Sequence, residues 1–180
     1  MRLFIATPIP DEIRQHLAED AKTLREYGIM KTVEPQNIHI TLKFLGETDP
    51  QTAKTIEEAL TKIPTPPFNI SIKGTGAFPT TQKARVIWAG TSTGEAEITR
   101  LHEEIENTLT PHNIPKDERF HAHTTLARVT TLKNPKGLGE WITRTATNNY
   151  GNYTNTQFHL IESKLTPQGP EYKIIRKYPT

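Results

Sequence analysis

The sequence predicts an α+β fold in which two pseudo-symmetric lobes, built from antiparallel-rich sheets, line a central cleft and carry helices on the outside. The first observation behind this prediction is a repeat. The tetrapeptide His39–Leu42 (His-Ile-Thr-Leu) returns 84 positions later, counted from 39 to 123, as His123–Leu126 (His-Thr-Thr-Leu). The second observation is the order of elements, because each motif lies in a strand pattern between two helical patterns. A duplicated order indicates lobes related by a pseudo-two-fold axis, which would bring the motifs face to face.

Strands and amphipathic helices alternate through the first half of the chain. The first helix is predicted from apolar residues at helical spacing between Ile13 and Leu24, before Gly28. The second begins where Asp49 and Pro50 supply an N-cap and a first-turn proline. The predicted elements are a strand over 2–7, a helix from 10 to 28, extended segments over 31–33 and 38–45, a helix from 49 to 63, and strands over 68–72 and 85–89.

The second half repeats this order. A helix capped by Ser92 and Thr93 is predicted to run to Leu109, and a loop then leads into the strand that carries the second motif. The remaining predicted elements are a helix over 138–144 and strands over 156–164 and 172–177. Because no linker divides the chain, we expect residues 1–180 to form one bilobal domain.

Composition narrows the possible chemistry. The chain has no Cys, which excludes a thiol nucleophile and a thiolate zinc site. With 22 Lys and Arg against 20 Asp and Glu, the net charge of +2 gives no strong nucleic-acid signature, so any anionic ligand must be held locally. No stretch approaches the length of a membrane span, and we expect a soluble, cytoplasmic monomer.

Strand alternation predicts which motif side chains share the cleft. His39, Thr41 and Lys43 are expected on one face of the first strand, and His123 with Thr125 on one face of the second. The same alternation predicts Phe44 on the opposite face, as a core residue. It also turns Arg128 away, so that this guanidinium reaches the cleft only if the strand ends or bulges before it.

Two imidazoles on opposite sides of a bound group suit in-line displacement at phosphorus. One neutral His would take a proton from the attacking hydroxyl or water, and one protonated His would deliver a proton to the leaving oxygen. The hydroxyls of Thr41 and Thr125 would donate to phosphoryl oxygens, and Lys43 or Arg128 would offset the charge. This chemistry needs no metal or cofactor, and it predicts a bell-shaped pH dependence because an unperturbed His titrates at about 6.5.

Metal binding is the competing chemical interpretation. His121 and His123 would share one strand face, and His39 could supply a third imidazole. We rank this interpretation lower because the motif strands contain no Asp or Glu to act as outer carboxylates. The sequence also lacks a serine-hydrolase elbow, a Walker-type loop and a dinucleotide fingerprint.

The motifs and four longer segments resemble the two-histidine phosphoesterase superfamily, in its RNA 2′,3′-cyclic phosphodiesterase branch, historically called 2′-5′ RNA ligase. The similar segments are residues 2–6 (RLFIA), 39–47 (HITLKFLGE), 84–90 (ARVIWAG) and 120–128 (FHAHTTLAR). One departure is Ala122, where this family often has Pro before the second His. Ala is compatible with an extended strand, so the departure leaves the predicted site intact.

The resemblance implies hydrolysis of a 2′,3′-cyclic phosphate, on an RNA end or a cyclic nucleotide, to a 2′-phosphomonoester. It assigns His39 as the acid for the departing 3′ oxygen and His123 as the base that activates water, although pseudo-symmetry leaves the reverse assignment open. It places Thr41 and Thr125 on phosphate oxygens and a basic residue, Arg128, near the phosphate. Lys31 and Arg85 are candidate RNA-backbone contacts, which the residues themselves predict equally well as solvated charges.

Two rival functions remain open at this point. A non-catalytic module that binds RNA ends or nucleotides would use the same cleft without turnover. Genuine 2′-5′ ligation would run the reaction in reverse, with an RNA 2′-hydroxyl in the place of water, and the excess of water favours hydrolysis.

Overall fold

The computed structural model describes residues 1–180 and contains four α-helices and nine strands. The helices are α1 (Asp11–Thr23), α2 (Pro50–Leu60), α3 (Glu95–Leu109) and α4 (Pro135–Thr145). The strands are β1 (Arg2–Pro8), β2 (Gly28–Thr32), β3 (His39–Glu47), β4 (Phe68–Phe78), β5 (Val86–Thr91), β6 (His123–Leu132), β7 (Asn149–Asn155), β8 (Phe158–Thr166) and β9 (Gly169–Tyr178). None of the helices combines the length and hydropathy needed to cross a membrane.

The strands form one curled antiparallel sheet with two halves. One half runs β7-β4-β5-β6 and the other β3-β1-β8-β9, and β2 pairs with β6 outside this path. The halves are joined through β3 and β6, which share a single residue pair, Ile40 with Thr124. Because the two strands separate on either side of this pair, the sheet opens into a cleft between the halves. The predicted α+β class, with two similar lobes around a cleft, is confirmed; the lobes share one continuous sheet.

Helices cover the outside of each lobe, and their apolar stripes fit the predicted spacing. Helices α2 and α3 pack on each other and α3 packs on β3, whereas α1 contacts β6 and β7 and α4 contacts β4. The stripe of α3, for example, buries Ile98, Leu101, Ile105 and Leu109. Helix α1 follows β1 in the chain and yet packs on the other half of the sheet, so the chain crosses between the lobes.

Two local predictions were wrong. Helix α3 begins at Glu95 with Gly94 as its N-cap, rather than with a Ser92-Thr93 cap, because this turn requires φ of +86° and a Cβ there would collide with the Asn69 carbonyl oxygen. Strand β7 was not predicted, since Asn and Gly disfavour strands. It forms as an edge strand on β4, where Tyr150 and Asn155 are buried.

Candidate active site

The pairing of β3 with β6 brings the two motifs together. Ile40 and Thr124 pair and are both buried, so the motif residues on either side of each point to the opposite, cleft-facing side of the sheet. In an antiparallel pair, each His then lies opposite the Thr of the other motif. This register places the two histidines diagonal to each other across β3 and β6. His39, Thr41, His123 and Thr125 all line the same cleft.

The cleft has a volume of about 980 Å³, near the upper end of the roughly 300–1,000 Å³ typical of ligand sites. Its walls come from both halves of the sheet, from the β8–β9 hairpin and from the loop before β6. Five basic residues line it: Arg2, Lys31, Lys43, Arg119 and Arg128. Arg85, the other candidate for an RNA-backbone contact, is not among the residues that line the cleft. The cleft can therefore hold a ligand with more than one anionic group.

Each motif strand contains a β-bulge at the same position of the repeat. The pairing of β1 with β3 skips Leu42, and the pairing of β5 with β6 skips Leu126. A bulge adds one residue to one strand and reverses the facing of the side chains that follow. The residues after each bulge therefore point to faces opposite to those that simple alternation predicts.

The bulges change the expected roles of three residues. Arg128 lines the cleft, because the bulge at Leu126 turns its side chain to the cleft face. The sequence had predicted that it would reach the cleft only with such a bulge. Phe44 was predicted to be a core residue, and this is wrong: its side chain is 63% exposed and lines the cleft. Lys43 was predicted to present its ammonium to a phosphate, and this is also wrong, because the side chain is turned inward and pairs with Glu106 at 2.6 Å.

Backbone and aromatic contacts orient His39. Its Nδ1 lies 2.7 Å from the Asn37 carbonyl oxygen, which can only accept, so Nδ1 carries the proton and Nε2 is the free acceptor. Thr41 Oγ1 lies 2.9 Å from Nε2 and donates to it in this tautomer. The ring stacks on Phe4 at 4.9 Å between centroids and meets the edge of Tyr172 at 5.5 Å. Neither aromatic residue was predicted to be part of the site, although Phe4 lies in a predicted strand.

His123 is held in the corresponding way. Its Nδ1 donates to the His121 carbonyl oxygen at 2.7 Å, which again leaves Nε2 as the free acceptor. Phe78 packs edge-on against the ring at 5.2 Å, and Trp88 lies 6.3 Å away. Both histidines are therefore fixed in the same tautomer by the carbonyl of the residue two positions earlier.

Burial lowers the pKa of both histidines. For His39, burial brings the pKa to about 4, against the raising effect of the hydrogen bond to Asn37 and with a further lowering by the positive charges of Arg128 and His123. For His123, burial lowers the pKa, and the charges of His121 and Arg128 add to the effect. Near neutral pH, both free imidazoles are therefore uncharged bases.

The competing metal interpretation relied on His121 together with the motif histidines. His121 packs its ring against Trp88 at 4.9 Å and Phe78 at 5.4 Å. A tight cluster of potential metal ligands lies elsewhere, where side-chain atoms of His102, Glu106 and Asp117 are all within 4.8 Å of one another. The ammonium of Lys43 lies between the two carboxylates of this cluster, 2.6 Å from Glu106 and 3.5 Å from Asp117.

Comparison with known proteins identifies relatives over the whole chain. The family described as LigT like Phosphoesterase matches residues 7–88 and 91–172, two ranges with the same offset, 7 to 91, as the two motifs. A protein of Archaeoglobus fulgidus named RNA 2′,3′-cyclic phosphodiesterase is 38% identical over 178 residues, which cover 99% of both chains. A protein of the same name from Methanocaldococcus jannaschii is 34% identical, covering 99% of this chain and 100% of that one.

Solved structures share the fold. The protein TT0787 of Thermus thermophilus superposes with a TM-score of 0.79 at 29% identity, covering 98% of this chain and 96% of that chain. E. coli LigT complexed with 3′-AMP superposes with a TM-score of 0.77, with the same coverage. At its 23% identity, this second likeness shows the fold alone.

Proposed function

The chain belongs to the LigT-like phosphoesterase family, and we propose that it hydrolyses 2′,3′-cyclic phosphate ends of RNA, or cyclic nucleotides, to 2′-phosphomonoesters. The observation that carries this proposal is the placement of two histidines of identical tautomer on one cleft face, diagonal to each other across β3 and β6. Relatives named RNA 2′,3′-cyclic phosphodiesterase support the choice of substrate.

In this proposal His123 is the general base and His39 the general acid. A water molecule loses its proton to His123 Nε2 and attacks phosphorus, the bond to the 3′ oxygen breaks, and that oxygen takes a proton from His39 Nε2. His39 is the more deeply buried of the two. An anion bound beside it raises its pKa most strongly, since charges interact more in a less polar environment. Substrate binding thus provides the protonated acid that the free protein lacks.

Thr41 has two states in this reaction. In the free protein its hydroxyl donates to the neutral His39 Nε2. Once Nε2 is protonated it can no longer accept, and the hydroxyl is free to donate to a phosphate oxygen. Thr125 is the matching donor on the opposite strand, and the guanidinium of Arg128 offsets the phosphate charge. The phosphate therefore replaces the imidazole as the partner of Thr41.

Phe44 gives the cleft an exposed aromatic face. Its ring is 6.3 Å from that of Phe4, which stacks on His39, so it lies beside the catalytic group. Stacking of a base on an aromatic side chain contributes about 1–3 kcal/mol and tolerates different bases. We infer that Phe44 contacts the nucleobase that carries the cyclic phosphate.

The test is incubation with an oligonucleotide that ends in a 2′,3′-cyclic phosphate, with and without a chelator, followed by identification of the product. We expect a 2′-phosphate end at the same rate in both reactions. Tight binding of the oligonucleotide without product would favour the non-catalytic module instead. Loss of activity on chelation, restored by a divalent metal, would contradict the metal-free mechanism.

A further inference from the structure

The buried ion pair behind the first motif links it to the loop that precedes the second. Lys43 follows the bulge in β3, and its Nζ donates to Glu106 Oε1 of α3 at 2.6 Å and to the Pro115 carbonyl oxygen at 2.9 Å. Both charged side chains are buried, with 1% and 7% of their surface exposed. Burying two charges is costly unless the pair has good geometry and further hydrogen bonds. Both are present at Glu106 Oε1, whereas Oε2 is buried without a partner.

These contacts anchor the loop over residues 114–122 at Pro115 and Asp117. It contains neither helix nor strand, so no ladder of backbone hydrogen bonds holds it. The Lys43 ammonium binds its Pro115 carbonyl, and Glu106 Oε1 accepts from the Asp117 amide at 3.2 Å. One carboxylate oxygen thus receives both the ammonium and the loop backbone.

His102 of α3 connects the bulge to the other end of the loop. Its Nδ1 donates to the carbonyl of Leu42, the bulged residue, at 2.8 Å. Its ring stacks on Phe120 with centroids 4.0 Å apart and planes 7° from parallel. Phe120 directly precedes His121, whose carbonyl accepts from His123 Nδ1. An unbroken set of contacts therefore runs from the first bulge to the carbonyl that orients the second histidine.

We propose that Lys43 and Glu106 are positioning residues for His123, which they orient through the loop 114–122 and the His121 carbonyl. They touch neither substrate nor the reacting atoms. The role of His123 in catalysis rests on the proposed function, whereas its orientation does not. His39 takes no part in this set of contacts, because the Asn37 carbonyl holds it.

The decisive variant replaces both charges at once, as Lys43→Met with Glu106→Leu. Removal of one partner would leave an uncompensated buried charge, whereas apolar pairs of similar volume often replace a buried ion pair without loss of stability. The double variant keeps the core filled and loses the anchors at Pro115 and Asp117. Its matched control is Arg176→Met with Glu57→Gln, which removes an ion pair of 3.1 Å between β9 and α2. Neither control residue lines the cleft.

Two readouts test the proposal. The first is the nitrogen-15 NMR pattern of the two imidazoles, which reports which ring nitrogen carries the proton. We expect His123 to lose its single Nδ1–H form in the double variant while His39 keeps it. The second is turnover of a cyclic-phosphate oligonucleotide, where kcat should fall by about 10- to 100-fold, as misplacement of a catalytic group does, with little change in KM. The control variant should change neither.

A folded double variant with an unchanged His123 pattern and unchanged kcat would overturn the proposal. If this double variant does not fold, Lys43→Met with Glu106→Gln removes the ammonium and its hydrogen bond to the Pro115 carbonyl without leaving a buried charge, and an unchanged His123 pattern there has the same meaning. If the unmodified protein shows no turnover, the proposed function is wrong, and the NMR comparison still decides the positioning role.

Discussion

The two histidine motifs share one backbone design and differ in the two residues that follow their bulges. Both histidines donate from Nδ1 to the carbonyl two residues earlier, and both strands bulge at the Leu of the motif. After the bulge, the first motif has Lys43 and Phe44 where the second has Ala127 and Arg128. The duplicated backbone places two equivalent imidazoles, and the side chains after the bulges distinguish the two sides of the cleft.

The histidines themselves should give the largest effect. We expect His39→Ala and His123→Ala each to lower kcat by about 10²- to 10⁴-fold, the usual contribution of a general acid or base. The two variants should differ in pH dependence. Wild-type activity should fall toward acid, because the base must be neutral, and toward alkali, because the acid must be protonated. His123→Ala should lack the fall toward acid, and His39→Ala should lack the fall toward alkali. Rate measurements across pH decide this, and a reversed pattern would exchange the two roles.

Acid should destabilise the protein through His39 more than through His123. The folded pKa of His39 is about 4 and the unfolded value is 6.5, so the unfolded chain takes up a proton first as pH falls. The free energy of unfolding therefore decreases between pH 6.5 and 4, by about 3 kcal/mol in total from this group. Denaturant unfolding of the wild type and of His39→Gln should show this difference, with His123→Gln as the comparison. Equal acid sensitivity of wild type and His39→Gln would contradict it.

The two threonines should be unequal in one respect. Thr41→Val and Thr125→Val should each lower kcat/KM. The expected loss corresponds to about 1.5–3 kcal/mol of transition-state stabilisation, the contribution of one hydrogen bond to a charged group. Only Thr41 donates to its own histidine in the free protein. Its loss removes a stabiliser of neutral His39 and should raise the pKa of that histidine, which NMR titration measures. A raised pKa of His123 in Thr125→Val would remove this distinction.

Phe44 and Arg128 occupy equivalent positions of the repeat, and their variants should separate base from phosphate binding. Phe44→Ala should raise KM by an amount equivalent to about 1–3 kcal/mol, whereas Phe44→Tyr should keep the stack. Arg128→Gln should weaken the binding of both the substrate and inorganic phosphate. Phe44→Ala should leave the affinity for inorganic phosphate unchanged. Calorimetric titration with phosphate and with a nucleoside separates the two, and equal losses for both ligands would argue against distinct roles.

Much of this arrangement could be predicted from the sequence because it depends on local pattern. The four helices follow from apolar periodicity, and the shared cleft follows from the repeated motif. The bulges leave no local signal, since a register jump is decided by how β1 and β5 pair with the motif strands. Lys43 could not be assigned correctly for the same reason, and its partner Glu106 lies 63 residues further along the chain.

The two bulges lie at equivalent positions, Leu42 and Leu126, so the repeated backbone includes the bulge in both copies. In a symmetric assembly of two half-length chains, every side chain at that position would occur twice, identically. A single chain that encodes both copies can place a phenyl ring on one side and a guanidinium on the other. Joining two equal halves thus lets a symmetric framework present chemically different groups on the two sides of one cleft.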